Sequence, residues 1–210
     1  RGDFDGVLDI LPPDEIDKGF YEADVSEENA KMKRLSSIEG YRMRISALEA
    51  QGKWKEVQEN YERVTGYVES SLTAPKTIML EYARFLFQQK NYQKSLNVCI
   101  RLQAALVQFP KAVSEEDTSE LYDLQGELYY ETEQYEKAES FLLKAIELRK
   151  VNVEPRLESD MLIAESCVKL AKVYFKVTRY FESEALYMQT LERYKAYDTD
   201  AIESVDVEIA

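Results

Sequence analysis

The sequence predicts an all-α protein built as a stack of antiparallel helix hairpins. Three observations carry this expectation. Only 7 glycines and 5 prolines occur in 210 residues, too few for the many tight turns of an all-β chain. Hydrophobic residues make up 45% and charged residues 32%, which supplies a packed core and argues against wholesale disorder. Four segments share one spacing of small and aromatic residues, the mark of an internal repeat.

Residues 1–25 are rich in Asp, contain Pro12-Pro13 and keep no helical period beyond a turn or two around Asp14–Ala23. They read as an acidic N-terminal arm. Ser26-Glu27-Glu28-Asn29 then reads as a helix start, a hydroxyl cap followed by acids at the positive end of the helix dipole. From there the residues are mostly helix formers.

The four copies lie in sequence. The first runs Ile45, Leu48, Trp54, Val57, Tyr61, Val64, with Gly52 marking the turn. The second runs Ala83, Leu86, Tyr92, Ser95, Cys99, Leu102. The third runs Gly126, Tyr129, Tyr135, Ala138, Leu142, Ala145, and the fourth Ala171, Tyr174, Tyr180, Ser183, Tyr187, Thr190. A small residue such as Gly126 or Ala171 lets the second helix approach the first, and the aromatic one turn later is expected to fill the space between them. Trp54, Tyr92, Tyr135 and Tyr180 are expected to open the second helices and close the hairpins. Ser95, Ala138 and Ser183 are expected to let the next hairpin stack. One hairpin cannot bury its apolar face alone, so the copies must stack into a solenoid.

This pattern resembles the tetratricopeptide repeat. It is met best by Gln125-Gly126, Tyr129 and Ala138, and by Leu170-Ala171 and Tyr174. The resemblance covers residues 38–197 and implies a right-handed superhelical solenoid of about four repeats, at 38–71, 76–109, 119–152 and 164–197, within a repeat domain 26–197. An acidic C-terminal tail, 198–210, follows. The copies are offset by 38, 43 and 45 residues, longer than the roughly 34 of the family and similar to the long repeats of kinesin light chains. The extra length falls around Ser71–Pro75, Pro110–Thr118 and Val151–Asp160, and implies longer helices or ordered loops there.

The resemblance also implies a concave groove lined by the first helix of each hairpin. Its positions map to Glu49, Phe87, Tyr130 and Phe175 in one line, to Ser46, Arg84, Glu127 and Lys172 in a second, and to Arg42, Leu80, Asp123 and Val168 in a third. Gln88, Glu131 and Lys176 flank them. Aromatics at equivalent positions of successive repeats suit a peptide or protein partner with apolar anchors. Packing against neighbouring helices is the competing reading. The groove that holds the C-terminal carboxylate of Hsp70 or Hsp90 would need cations and Asn at Arg42, Ser46, Glu81, Glu120 and Leu124, or one repeat on at Leu80, Arg84, Leu124, Glu165 and Lys169. Neither set forms that clamp, and Glu81 or Glu120 would repel a carboxylate, so such a tail is disfavoured.

Function classes narrow further. Histidine is absent, which removes every mechanism that depends on it. Scattered glycines give no phosphate loop, and no Cys/His cluster or calcium-loop spacing occurs. No catalytic residue, metal ligand or cofactor is therefore expected. The formal net charge of −13 is concentrated in the tails. Residues 1–30 hold 10 acids against 2 bases, residues 196–210 hold 5 acids and no base, and the body between is balanced. No basic stripe suits nucleic acid, and no apolar run spans a bilayer. Acidic tails are usually solvating arms, with docking onto a basic partner as the sharper alternative. Cys99 and Cys167 fall at apolar helical positions and fit a reducing, cytoplasmic setting. The chain begins at Arg1, which leaves room for a removed targeting segment, and its opening Arg-Gly-Asp reads as chance. The expected function is a non-catalytic adaptor or scaffold module. A regulatory or assembly piece of a larger protein is the alternative, and an enzyme a remote one. Nothing in the sequence fixes the oligomeric state.

Overall fold

The computed structural model describes residues 4–21, 27–70, 76–108, 114–151 and 157–197, and every element among them is an α-helix. In order these are α1 (Phe4–Ile10), α2 (Pro13–Tyr21), α3 (Glu27–Ala50), α4 (Trp54–Ser70), α5 (Thr77–Gln88), α6 (Tyr92–Gln108), α7 (Glu115–Glu131), α8 (Tyr135–Val151), α9 (Leu157–Lys176) and α10 (Tyr180–Tyr197). The chain is all-α, as the spacing predicts. Each aromatic expected to open a second helix is the first residue of one: Trp54, Tyr92, Tyr135 and Tyr180. The expected cap Ser26, the joint residues 71–75, 109–113 and 152–156, and the tail 198–210 lie outside the described residues. Part of the extra length is helical, since α7 begins at Glu115 and α9 runs for 20 residues from Leu157.

One turn recurs four times. The residue two places before each aromatic has positive φ: Gly52 (70°), Lys90 (58°), Glu133 (59°) and Thr178 (64°). The amides of Gly52, Lys90, Glu133 and Thr178 donate to the carbonyls of Glu49, Phe87, Tyr130 and Phe175 at 2.8–3.2 Å. In three of the turns the next amide reaches further back: Lys53 to Leu48, Gln134 to Tyr129 and Arg179 to Tyr174, at 2.8–3.0 Å. This left-handed ending satisfies carbonyls that the helix leaves orphaned and reverses the chain in a few residues.

The chain forms two compact units, Arg1–Leu86 with Asn97–Val113, and Phe87–Leu96 with Ser114–Ala210. In the second unit α7 packs on α8, α8 on α9, and α9 on α10. Ser114 caps α7 by accepting the Asp117 amide at 3.0 Å, with Glu115, Glu116 and Asp117 in the first turn where the dipole favours acids. Leu121, Leu128, Leu142 and Leu170 are fully buried. Gly126 sits where a Cβ would lie 2.5 Å from Leu142 Cγ, so glycine is what admits α8. At the equivalent place in the last hairpin the Ser183 hydroxyl donates to the Ala171 carbonyl at 2.8 Å. The small residues Ala138 and Ser183 therefore serve closeness within a hairpin, where the sequence reading assigned them to stacking of the next one.

In the first unit α1 and α2 pack on α3, which in turn packs on α4. This corrects the expectation of an arm with at most a turn or two. The short helices are held by specific polar contacts. Buried Asp17 accepts from the Tyr41 hydroxyl at 2.5 Å and pairs with Arg63, which also binds Asp14 at 2.6 Å. Burial and the Asp17 carboxylate push the Tyr41 phenol well above its ordinary range. Arg44 donates to the carbonyls of Leu8 and Leu11 at 3.1 Å, and Ser37 to that of Ile16 at 2.8 Å. Phe20 stacks on Tyr67 of α4 with centroids 4.7 Å apart. Tyr61 stacks in turn against Tyr82 and Phe85 of α5 at 5.3 and 5.4 Å. Buried Lys76 donates to the carbonyl of Val68 in the last turn of α4, a cation at the negative end of a helix.

Candidate functional site

The second unit carries a pocket of about 480 Å³. It is lined by Glu127, Tyr130 and Glu131 of α7, Leu142 of α8, Lys169, Lys172, Phe175 and Lys176 of α9, and Tyr187 of α10. Six of these, Glu127, Tyr130, Glu131, Lys172, Phe175 and Lys176, are residues that the helical period assigns to the groove. The pocket is bipolar: its charges from α7 are acids and those from α9 are lysines.

Aromatic pairs edge the first helices of this unit. Phe87 meets Tyr92 at 5.5 Å, Tyr130 meets Tyr135 at 5.8 Å, and Phe175 meets Tyr180 at 5.3 Å, the last two edge to face. The left-handed turn creates these pairs, because it reverses the chain between residue i and residue i+5. Phe175 and Tyr180 remain 58% and 55% exposed, so they lean on each other without becoming core. The buried aromatics in the first helices of these hairpins are Tyr129 and Tyr174, one turn after Gly126 and Ala171. Trp54, the matching residue of the first hairpin, is 48% exposed.

A buried polar cluster stands behind the pocket wall. Asp123 of α7 accepts from Ser166 and Lys169 of α9 and from Arg149 of α8. Arg149 also donates to the Leu162 carbonyl at 2.9 Å and to the Ser166 hydroxyl. Lys169 reaches Glu127 at 3.2 Å. Burial pulls the Lys169 ammonium down, but Asp123 and Glu127 outweigh it and hold the pKa above its ordinary value. Burial raises the Glu127 carboxyl, with Lys169 opposing. A Ser–Lys pair needs a neutral amine and an accessible hydroxyl to act as a nucleophile. Here the amine is held charged and Ser166 is fully buried, so the cluster positions Lys169 in the wall.

The remaining groove positions divide by unit. Arg42 of α3 binds Glu81 of α5 through Nη2 at 2.5 Å and through Nε at 3.0 Å, and binds Glu39 and Thr77 as well. Burial and the neighbouring Glu81 raise the Glu49 carboxyl. Ser46 and Gln88 are exposed, while Arg84, Phe87 and Val168 are half-buried. Leu80 is in the core at 2% exposure and Asp123 is buried at 5%, so neither presents its side chain to a surface groove as the helical period suggested. Asp123 is consumed by partners on two other helices. The period also missed Leu142 and Tyr187, and it reached Lys169 only as a position of the disfavoured carboxylate clamp. Lys169 follows Asp123 by 46 residues, so nothing local in sequence joins the two.

No group of His, Cys, Asp or Glu among the described residues could hold a metal ion, and no described helix is long and apolar enough to cross a membrane. Both cysteines are free and buried.

The helix hairpins, the shared left-handed turn and the aromatic-edged pocket define a helical-hairpin repeat protein. Residues 76–150 match the tetratricopeptide repeat family. Solved structures of other proteins superpose on the chain. BtubC (BKLC) from P. vanneervenii superposes with a TM-score of 0.69 at 15% identity, over 93% of this chain and 74% of that one. A Podosopora anserina putative kinesin light chain with nearly identical TPR-like repeats gives 0.61 at 14%, over 91% and 92%. MamA from Desulfovibrio magneticus RS-1 gives 0.58 at 15%, over 94% and 99%. At these identities the likeness concerns the fold. No curated protein matches the chain in sequence.

Proposed function

We propose that the chain is a non-catalytic adaptor or scaffold module that receives a peptide or protein partner on the aromatic-edged face of its second unit. The observation that carries this reading is the exposed Phe175–Tyr180 pair beside a pocket lined with charges of both signs. A half-exposed aromatic pair next to a concave pocket is the kind of anchor on which interface energy concentrates. Lys172, Lys176 and Glu131 supply rim charge, which steers association and register more than it holds. A chaperone C-terminal carboxylate is a poor occupant, because Glu81 at one clamp position faces Arg42 and Glu120 stands at another. The buried free cysteines suit a reducing compartment, and we assign the module to the cytoplasm on that ground.

The test replaces Phe87, Tyr130 and Phe175 by Ala singly and together, then measures melting and partner capture on the same samples. Each replacement should weaken partner binding by roughly 1–2 kcal/mol with little change in melting. A triple variant that melts like the parent and still captures every parent partner would show that this face is not the binding site.

A further inference from the structure

We propose that the acidic segment 198–210 of this same chain is an occupant of the α9 wall, lying over Lys172, Phe175 and Lys176 and competing there with outside partners. This deepens the groove reading and rests on it.

Four observations converge. The α9 side of the pocket presents Lys169, Lys172 and Lys176 at i, i+3 and i+7, one face of a helix, with Phe175 between them. Lys169 is held inward by Asp123 and Glu127, and Lys172, Phe175 and Lys176 continue the same face toward the end of α9.

The segment 198–210 carries Asp198, Asp200, Glu203, Asp206 and Glu208 and no base, and so complements that wall in charge.

The spacings also match. Val205-Asp206-Val207-Glu208-Ile209 alternates apolar and acidic residues. An extended chain puts Asp206 and Glu208 on one side about 6.7 Å apart, with Val205, Val207 and Ile209 on the other. Lysines at i and i+4 rise about 6 Å along a helix. Two carboxylates can therefore sit on two ammonium groups.

The reach suffices. Arg193 near the end of α10 pairs with Asp160 near the start of α9 at 3.3 Å, so the chain leaves α10 beside the first turns of α9. From Tyr197, one turn beyond Arg193, Lys172 and Lys176 lie about 24–30 Å along the axis. Extended, the chain from Tyr197 spans up to about 30 Å to Asp206 and about 36 Å to Glu208. Tethering supplies an effective concentration in the millimolar range, which lets a weak site fill.

The experiment uses the whole chain with Ser204→Cys carrying a nitroxide. Cys99 and Cys167 are buried, and burial pushes the Cys99 thiol up to about 12 and raises that of Cys167, so neither competes for the label. The expected result is paramagnetic loss of the amide signals of Lys172, Phe175 and Lys176. The loss should vanish in Asp206→Lys/Glu208→Lys and in Lys172→Glu/Lys176→Glu, and return when the two pairs of swaps are combined. If the lysine variant misfolds, the segment variant carries the test alone. No signal loss on α9, or loss that survives the segment swap, overturns the proposal. Loss seen only when a tagged chain is mixed with an isotope-labelled untagged chain makes a second copy the occupant, and that also overturns it. Partner capture by the aromatic variants is a separate readout, so failure of the groove reading and failure of this inference are distinguishable.

Discussion

Replacing Gly126 by Ala sets two opposed effects against each other within one methyl group. Alanine is the better helix former by about 1 kcal/mol at an interior position. Against this, the new Cβ would stand 2.5 Å from Leu142 Cγ and 2.8 Å from its Cδ2, with the Ala138 carbonyl at 3.4 Å. Ordinary contact begins near 3.4 Å, so α7 and α8 must separate by about 1 Å or Leu142 must leave its rotamer. Leu142 is fully buried and borders the pocket, so relief would require it to leave its packed place and turn toward that space. Overpacking of this kind costs about 1–3 kcal/mol, and the upper part of that range applies because two Leu142 atoms, one of them the branching Cγ, would lie under 3.0 Å. The net expectation is a loss of about 1–2 kcal/mol, or a fall in melting temperature of about 3–6 °C for a chain of this size. Gly66 provides the control. It lies exposed inside α4 with nothing within 4 Å of its missing Cβ, so Gly66→Ala should gain about 0.5–1 kcal/mol. Thermal and urea unfolding followed by far-UV circular dichroism reads both. If Gly126→Ala is as stable as the parent while Gly66→Ala behaves as expected, the close approach of α7 and α8 is not what holds this hairpin.

Asp123→Asn should cost about 3 kcal/mol, because it strands Arg149 and Lys169 beside a neutral amide in a buried site; chemical denaturation reads it. Thr178→Gly should stabilise by about 1 kcal/mol, since a β-branched residue at φ 64° carries strain that glycine lacks, and differential scanning calorimetry should show a higher melting temperature. The Glu69–Arg101 pair should matter only modestly and only above acid pH. Its hydrogen bonds to Arg101 lower the Glu69 carboxyl against the opposing pull of burial. The contribution is therefore present above the ordinary glutamate value of 4.5 and is lost as pH falls through the lowered one. At 37% and 46% side-chain exposure it is worth under about 1 kcal/mol, so Glu69→Gln should change stability slightly at neutral pH and not at all in strong acid.

The start of each second helix was legible to the residue, because Trp54, Tyr92, Tyr135 and Tyr180 recur at one offset in all four copies. The turn residue itself was not: only Gly52 announced its left-handed conformation, while Lys90, Glu133 and Thr178 adopt it because the returning helix demands it. Helices α1 and α2 were illegible for a different reason. At 7 and 9 residues they are too short to stand on propensity, and they exist through contacts to Tyr41, Arg44 and Arg63, distant in sequence. Among the residues that the helical period assigns to the groove, Tyr130, Phe175, Lys172 and Lys176 line one pocket, since periodicity reports which face of one helix a residue shares. It misplaced Asp123 and did not link it to Lys169, because the burial of Asp123 is decided by Arg149, Ser166 and Lys169 on other helices. Pairing between helices leaves no period in a single sequence.

The turn and the candidate site are one device. The carbonyls that the left-handed residues cap belong to Glu49, Phe87, Tyr130 and Phe175, the very line assigned to the groove. The same reversal that satisfies these carbonyls brings residue i+5 back against residue i, and in the second unit both are aromatic. Three of the four turns do this with a residue that is strained there, although glycine would be easier. A rigid turn fixes the ring pair, and a fixed pair loses less entropy when a partner covers it. Glycine at Thr178 would relieve the strain but let Phe175 and Tyr180 wander. The variant should then melt higher and bind less well, a divergence of stability from affinity that a purely structural turn would not show.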